Sequence, residues 1–182
     1  MKKVLFFLLI TSVCFSQQQV ERFEVTPEGI NQFVVVETTG SAEELFTKTK
    51  HWINTAFKNP ERVMPRQIEN EMIGGEMLFI EVIPVKGFVN GIFDMKVNYQ
   101  INFKDDKLKF DIYWVEFPTS VPTSGVRTFE FSAVGGGYPS FYNLKGKPKP
   151  KFQEFVSVVE DKLNGLVSDL VNYIENNQQD DW

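Results

Sequence analysis

Apolar residues recur along 151–174 at steps of three, four and one: Phe152, Phe155, Val156, Val159, Leu163, Leu166, Val167, Leu170, Val171 and Ile174. They form one stripe on a 3.6-residue period, which predicts an amphipathic helix. Its other side carries Glu154, Glu160, Asp161, Lys162, Asn164, Ser168, Asp169 and Asn172. Such a helix forms by covering a surface. Gly165 interrupts it, and close packing against a strand is the expected reason.

Strands to supply that surface follow from a second period. Along 92–104, Met95, Val97, Tyr99, Ile101 and Phe103 alternate with Lys96, Asn98, Gln100 and Asn102. One apolar and one amide-rich face suit an antiparallel strand covered on one side. Asp105-Asp106 makes the turn, and 107–117 returns with Leu108, Phe110, Ile112 and Trp114 inward, against Lys109, Asp111 and Tyr113. Earlier in the chain, the β-branched run 33–38 predicts a strand ended by Gly40. Ser41 and Glu44 have the spacing of a capping box and start a helix reaching about Lys58, stopped by Pro60. Leu45, Phe46, Thr49, Trp52, Ile53, Ala56 and Phe57 line its inner side. Residues 62–73 read as a strand despite Pro65, with Gly74-Gly75 as the hairpin turn into a strand over 76–83. The run 17–31 is polar and reads as a loosely held leader. Residues 118–150 are irregular, with a strand-like 126–131, and the lysine-rich 145–151 reads as a stiff lead-in to the last helix.

The order is that of an α+β layer: a single antiparallel β-sheet of about five to six strands with two helices packed on one face. The helices are expected to cover Val97, Ile101, Phe103, Phe110 and Ile112, leaving the opposite face polar. The chain divides into 1–16, a leader 17–31, one domain 32–176 and a frayed acidic tail 177–182.

The N-terminus and the charge balance narrow the function. Met1-Lys2-Lys3, the apolar run 4–10 and the small residues before Gln17 make the three parts of a secretory signal peptide, with cleavage after Ser16. The run is shorter than the roughly 20 residues that span a bilayer. Cys14 offers a rival, a lipid anchor, but Thr11 and Val13 stand where such signals carry Leu and a small residue. Cleavage leaves 166 residues (182 minus 16), without cysteine. The balance becomes 17 basic (19 minus Lys2 and Lys3) against 24 acidic residues, a net charge of −7. That disfavours nucleic acid and anionic membranes, which need clustered positive charge. With His51 alone and no cysteine, neither a metal site nor a His-based catalytic set is expected, and no cofactor. His51 lies off the centre of its helix face, as a rim residue does.

The strand ending 37–40, the helix 41–57 with Trp52-Ile53, the Gly74-Gly75 pair and the turn 102–110 together resemble a family of exported bacterial domains. The resemblance covers about 33–117. It implies a TATA-box-binding-protein-like (TBP-like) fold, brings no known function and no catalytic residues, and does not imply DNA binding.

Two surfaces stand out as possible binding sites. The first is the polar sheet face of Lys96, Asn98, Gln100, Asn102, Lys109, Asp111 and Tyr113, able to take a glycan or peptide, although a plain solvated face is the simpler reading. The second is the loop 117–144 with Phe117, Tyr138, Phe141 and Tyr142, which either contact a partner or pack privately over the sheet edge. The function expected is an exported, non-enzymatic binding module, periplasmic or released, with an envelope protein, peptide or glycan as partner. A carboxylate hydrolase near that loop and a lipid-anchored envelope component are the alternatives.

Overall fold

The computed structural model describes residues 22–27, 29–85, 91–118, 142–143 and 145–176. The segment 1–16 with Cys14, the strand-like run 126–131, Tyr138, Phe141 and the tail 177–182 lie outside the described residues.

The chain runs through a two-stranded ribbon, β1 (Val25–Thr26) and β2 (Gly29–Ile30), then β3 (Phe33–Glu37), α1 (Ala42–Ala56), α2 (Pro60–Val63), β4 (Arg66–Ile68), β5 (Met72–Val85), β6 (Gly91–Lys104), β7 (Lys107–Glu116) and α3 (Gln153–Asn176). β3 to β7 form one antiparallel sheet in the order β3-β7-β6-β5-β4. The ladder Val34↔Phe110↔Ile101↔Ile73 crosses four strands, and all four side chains are fully buried. α1 and α3 roof this face: Phe46 meets Phe103 edge-on at 5.7 Å, and Leu163, Leu166 and Leu170 are buried in the same core. The α+β layer predicted from the two periods is the fold observed.

α1 begins as its capping box requires. Ser41 Oγ accepts from the Glu44 amide at 3.2 Å, and Glu44 accepts from the Ser41 amide at 2.9 Å. The β6–β7 turn adds to this cap: Asp105 accepts from the Ala42 amide at 3.0 Å and Asp106 from the Gly40 amide at 3.1 Å. Two acids that read only as turn residues thus fasten the hairpin to a helix N-terminus, where negative charge is favourable.

Several local expectations are corrected. Gly74-Gly75 is not the hairpin turn; both glycines lie inside β5. The turn is 69–71, with Asn70 left-handed at φ 60° and the Glu71 amide donating to the Ile68 carbonyl at 3.1 Å. Gly75 is there because another part of the chain passes over it: a Cβ would sit 1.8 Å from the Val63 carbonyl oxygen. Residues 62–73 are mostly not strand, since Pro60 opens the short helix α2 instead of only ending α1. Trp114 does not point inward. β7 slips register beside Asn98 and Tyr99, which pair with Trp114 and Ile112, so Tyr113 is an extra residue and the faces swap after it. Trp114 is 45% exposed, whereas Phe117 is fully buried.

The stretch read as a loose leader is packed where it is described. Phe23 is fully buried and meets Phe110 edge-on at 5.9 Å. Asn164 of α3 grips its backbone from both sides, accepting from the Phe23 amide at 2.7 Å and donating to its carbonyl at 2.9 Å, while Glu160 accepts from the Val25 amide at 2.8 Å. The lysine-rich lead-in is likewise a tight turn. Asn143 Oδ1 accepts from the amides of Lys145 and Lys147, and Gly146 takes the left-handed φ of 70°. Gly165 is not packed against a strand: among the described residues nothing lies within 4 Å of where its Cβ would be.

Candidate functional site

The sheet face turned away from the helices is built from the alternate residues of β3, β5, β6 and β7. Lys96, Asn98, Gln100 and Asn102 stand on it as their period requires, and Lys109, Asp111 and Tyr113 flank them from β7. The structure therefore gathers on one face every residue predicted for the first surface.

Five of these groups, Tyr113, Gln100, Asn102, Asp111 and Lys109, are bonded in a row. Tyr113 Oη donates to Gln100 Oε1 at 3.1 Å; Gln100 Nε2 donates to Asn102 Oδ1 at 2.8 Å; Asn102 Nδ2 donates to Asp111 Oδ2 at 2.8 Å. Lys109 Nζ closes the row on Asp111 Oδ1 at 2.6 Å and lies 4.2 Å from the centre of the Phe33 ring. A second knot surrounds Lys96, which bridges Glu76 at 2.9 Å and Glu116 at 3.1 Å and lies 5.5 Å from the Trp114 ring centre. The hydrogen bonds to Glu76 and then to Glu116 hold its ammonium above the usual lysine value. The face is thus a bonded lattice in which both lysines are matched by carboxylates, three acids to two lysines.

What projects from that lattice is apolar. Tyr113 (58% exposed) and Trp114 (45%) stand side by side at the bulge, and Phe33, Leu78, Ile80 and Ile68 are exposed elsewhere on the sheet. None of these but Tyr113 was predicted on this face. The bulge that turns Trp114 outward has no mark in the hydrophobic pattern. Leu78 and Ile80 belong to a strand apolar on both sides, which alternation does not resolve.

The second predicted surface fares differently. Phe117 and Tyr142 are core residues: Phe117 packs at 4.8 Å on Phe155, and the Tyr142 hydroxyl donates to the Val25 carbonyl at 2.6 Å. That is the private packing weighed against a contact role. Tyr138 and Phe141 lie outside the described residues. His51 is exposed on α1 and hydrogen-bonds Tyr173 of α3, at the rim as expected.

Beneath the lattice, the buried Tyr99 ties the sheet to α2. Its hydroxyl donates to the Val63 carbonyl at 3.1 Å, and burial pushes its phenol well above the usual tyrosine value. Among the described residues no group of three or more His, Cys, Asp or Glu side chains is placed to hold a metal ion, and no helix is long and apolar enough to cross a membrane.

No protein-family profile matches the chain, and no curated protein matches it. Solved structures do. A TBP-like protein from Parabacteroides distasonis is similar over 79% of this chain and 91% of its own, at 12% identity and a TM-score of 0.53. A DUF4468 family protein from Bacteroides ovatus is similar over 85% of this chain and 91% of its own, at 13% identity and a TM-score of 0.55. At such identities the likeness is one of fold: the chain has a TBP-like α+β fold, as the resemblance of its strands and turns implied.

Proposed function

We propose that this protein is an exported, non-enzymatic binding module that presents the outer face of its sheet to a partner protein of the cell envelope. One observation supports this above the rest: two neighbouring aromatic side chains, Tyr113 and Trp114, stand half exposed on a rigid face that neither helix covers. Trp and Tyr are the residue types that most often anchor protein interfaces. The Gln100 and Asn102 amides are engaged with each other, with Tyr113 and with Asp111, so around Asn98 the face offers a partner mainly aromatic and aliphatic surface. A glycan needs free donors and acceptors, which favours a protein over the other partner classes. Nucleic acid fits poorly, because Lys96 and Lys109 are already matched by acids and the chain is net negative. The closely spaced Glu76 and Glu116 have Lys96 between them, an ion-pair arrangement that gives the hydrolase alternative no support.

Export rests on the signal-like segment 1–16. Mass spectrometry of the protein recovered from the producing cell tests it: an N-terminus at Gln17 is expected, while a lipid on Cys14 selects the anchored alternative. The binding role is tested by capture from envelope extract with the wild type and with Tyr113→Ala/Trp114→Ala. A partner captured by the first and lost with the second, with the cooperative unfolding transition retained, is the expected result. A captured set indifferent to both substitutions overturns the outer-face reading.

A further inference from the structure

Along one border of the sheet, β5 outruns its neighbour. Its pairing with β4 ends at Gly74, opposite Arg66. From 76 to 79 it pairs with β6 on one side, the register breaking after Phe79, and among the described residues no strand lies on the other side. Alternate residues of such a border aim their N–H and C=O groups outward, a template for another strand. Beside this border lies a groove of about 550 Å³, walled on the far side by the link between α1 and α2. Phe57, Val63, Leu78 and Ile80 give it apolar surface, and the exposed Lys58 and Arg62 also line it. Lys96, also in the lining, is paired with Glu76, whereas among the described residues neither Lys58 nor Arg62 has a carboxylate within ion-pair distance.

We propose that this groove takes an extended segment of a partner protein, added to β5 at 76–80 as a further strand. Strand addition draws affinity from main-chain hydrogen bonds and selectivity from pockets for alternate side chains. The pockets here call for apolar side chains on Phe57, Leu78 and Ile80 and an acidic one between Lys58 and Arg62. The volume lies within the roughly 300–1,000 Å³ of ordinary ligand sites, enough for a few side chains of a peptide. A second copy of this chain is a poorer occupant. Pairing border to border about a two-fold axis sets the same patch against itself, so the Lys58 and Arg62 cations of the two copies face one another. The inference goes beyond the outer-face reading, since it uses the border of the strand and stands whether or not Trp114 contacts anything.

The test is selection of phage-displayed random octapeptides on the purified protein, followed by synthesis of the enriched sequence with a fluorescent label. Enrichment of peptides with alternating apolar residues and an acidic one is expected, and the labelled peptide should move the amide resonances of 76–80. N-methylation of alternate peptide amides should weaken binding by about tenfold or more, because it removes main-chain donors. Lys58→Glu/Arg62→Glu should weaken it by about tenfold at unchanged melting temperature, and Trp114→Ala should leave it alone. No enrichment, resonance changes elsewhere, indifference to N-methylation, or a dimer formed through this border in sedimentation would each overturn the proposal.

Discussion

The two faces of the sheet are made by the same strands, one residue apart, and are held in different ways. Ile101, Phe110 and Ile73 on the inner face are fully buried beneath α1 and α3, and their contribution is area removed from water. Gln100, Asn102 and Asp111 on the outer face hold one another through short hydrogen bonds, with Tyr113 and Trp114 beside them in solvent. A face whose polar groups are already matched is stiff without a cover. The exposed rings of Tyr113 and Trp114 add little to that row beyond the Tyr113 hydroxyl's bond to Gln100, which leaves them available for contact. Stability should therefore follow the inner face and binding the outer.

The sharpest way to break that contrast is to truncate one large residue on each side. Phe110→Ala is expected to cost about 3–5 kcal/mol, the usual loss for an aromatic deleted from a core. Trp114→Ala should cost no more than about 1 kcal/mol, since its ring is half in water and loses mainly its contact with Lys96. Urea unfolding of both variants measures the difference. Equal costs would mean that the outer face is covered after all. The next effect concerns the crossing of the chain over β5. Gly75→Ala places a methyl 1.8 Å from the Val63 carbonyl oxygen, and backbone must move to admit it. A loss of roughly 2–3 kcal/mol is expected, at the upper end of ordinary overpacking. Gly74→Ala, where the nearest atom is 3.1 Å away, should cost less.

The glycine pair also shows what one chain can and cannot reveal. Two glycines between strand-like runs read as a turn, because sequence does not separate a need for turning from a need for thinness; Val63, a dozen residues earlier, supplies the second. The β6–β7 hairpin was legible since its alternation is unbroken from Met95 to Ile112, and α3 since its stripe is long. Legibility stopped at Tyr113, where one extra residue in the backbone exchanges the faces without any change of composition. The seven polar-face residues were placed correctly by parity alone. Trp114, Leu78 and Ile80 were not, the first because of the bulge and the others because β5 is apolar on both sides. For Phe117 and Tyr142 the irregular stretch they flank left contact and private packing both open, and tertiary packing against α3 and β1 is what claims them.

A smaller effect belongs to Tyr99 of the inner face, which ties the sheet to α2. Its phenol is held neutral by burial, so its folded pKa lies above the unfolded value near 10. Below pH ~10 both states bind the proton and Tyr99 adds no pH dependence. Above it the unfolded chain loses the proton first, the folded state binds more protons, and stability falls by about 1.4 kcal/mol per pH unit until the folded group also ionises. Tyr99→Phe removes that alkaline slope. At neutral pH it should cost about 1–2 kcal/mol, because the Val63 carbonyl loses its donor. Urea midpoints of both proteins at neutral and strongly alkaline pH measure this, and parallel curves would show that another group carries the alkaline loss.

The last and smallest effect is a gain, on α3. The helix packs Leu163, Leu166 and Val167 into the core, and Asn164 turns sideways to clamp Phe23. Gly165 sits among them without a packing reason: its φ is not left-handed, and among the described residues its missing Cβ would touch nothing within 4 Å. Glycine in a helix interior is about 1 kcal/mol worse than alanine, because the unfolded chain has more freedom to lose. Gly165→Ala should therefore raise stability by roughly 0.5–1 kcal/mol, read as a higher urea midpoint at unchanged slope. Its sign is opposite to that of Gly75→Ala, although both are one methyl added to a glycine of an ordinary secondary element. Should Gly165→Ala destabilise instead, α3 is covered on more than the face turned to the sheet.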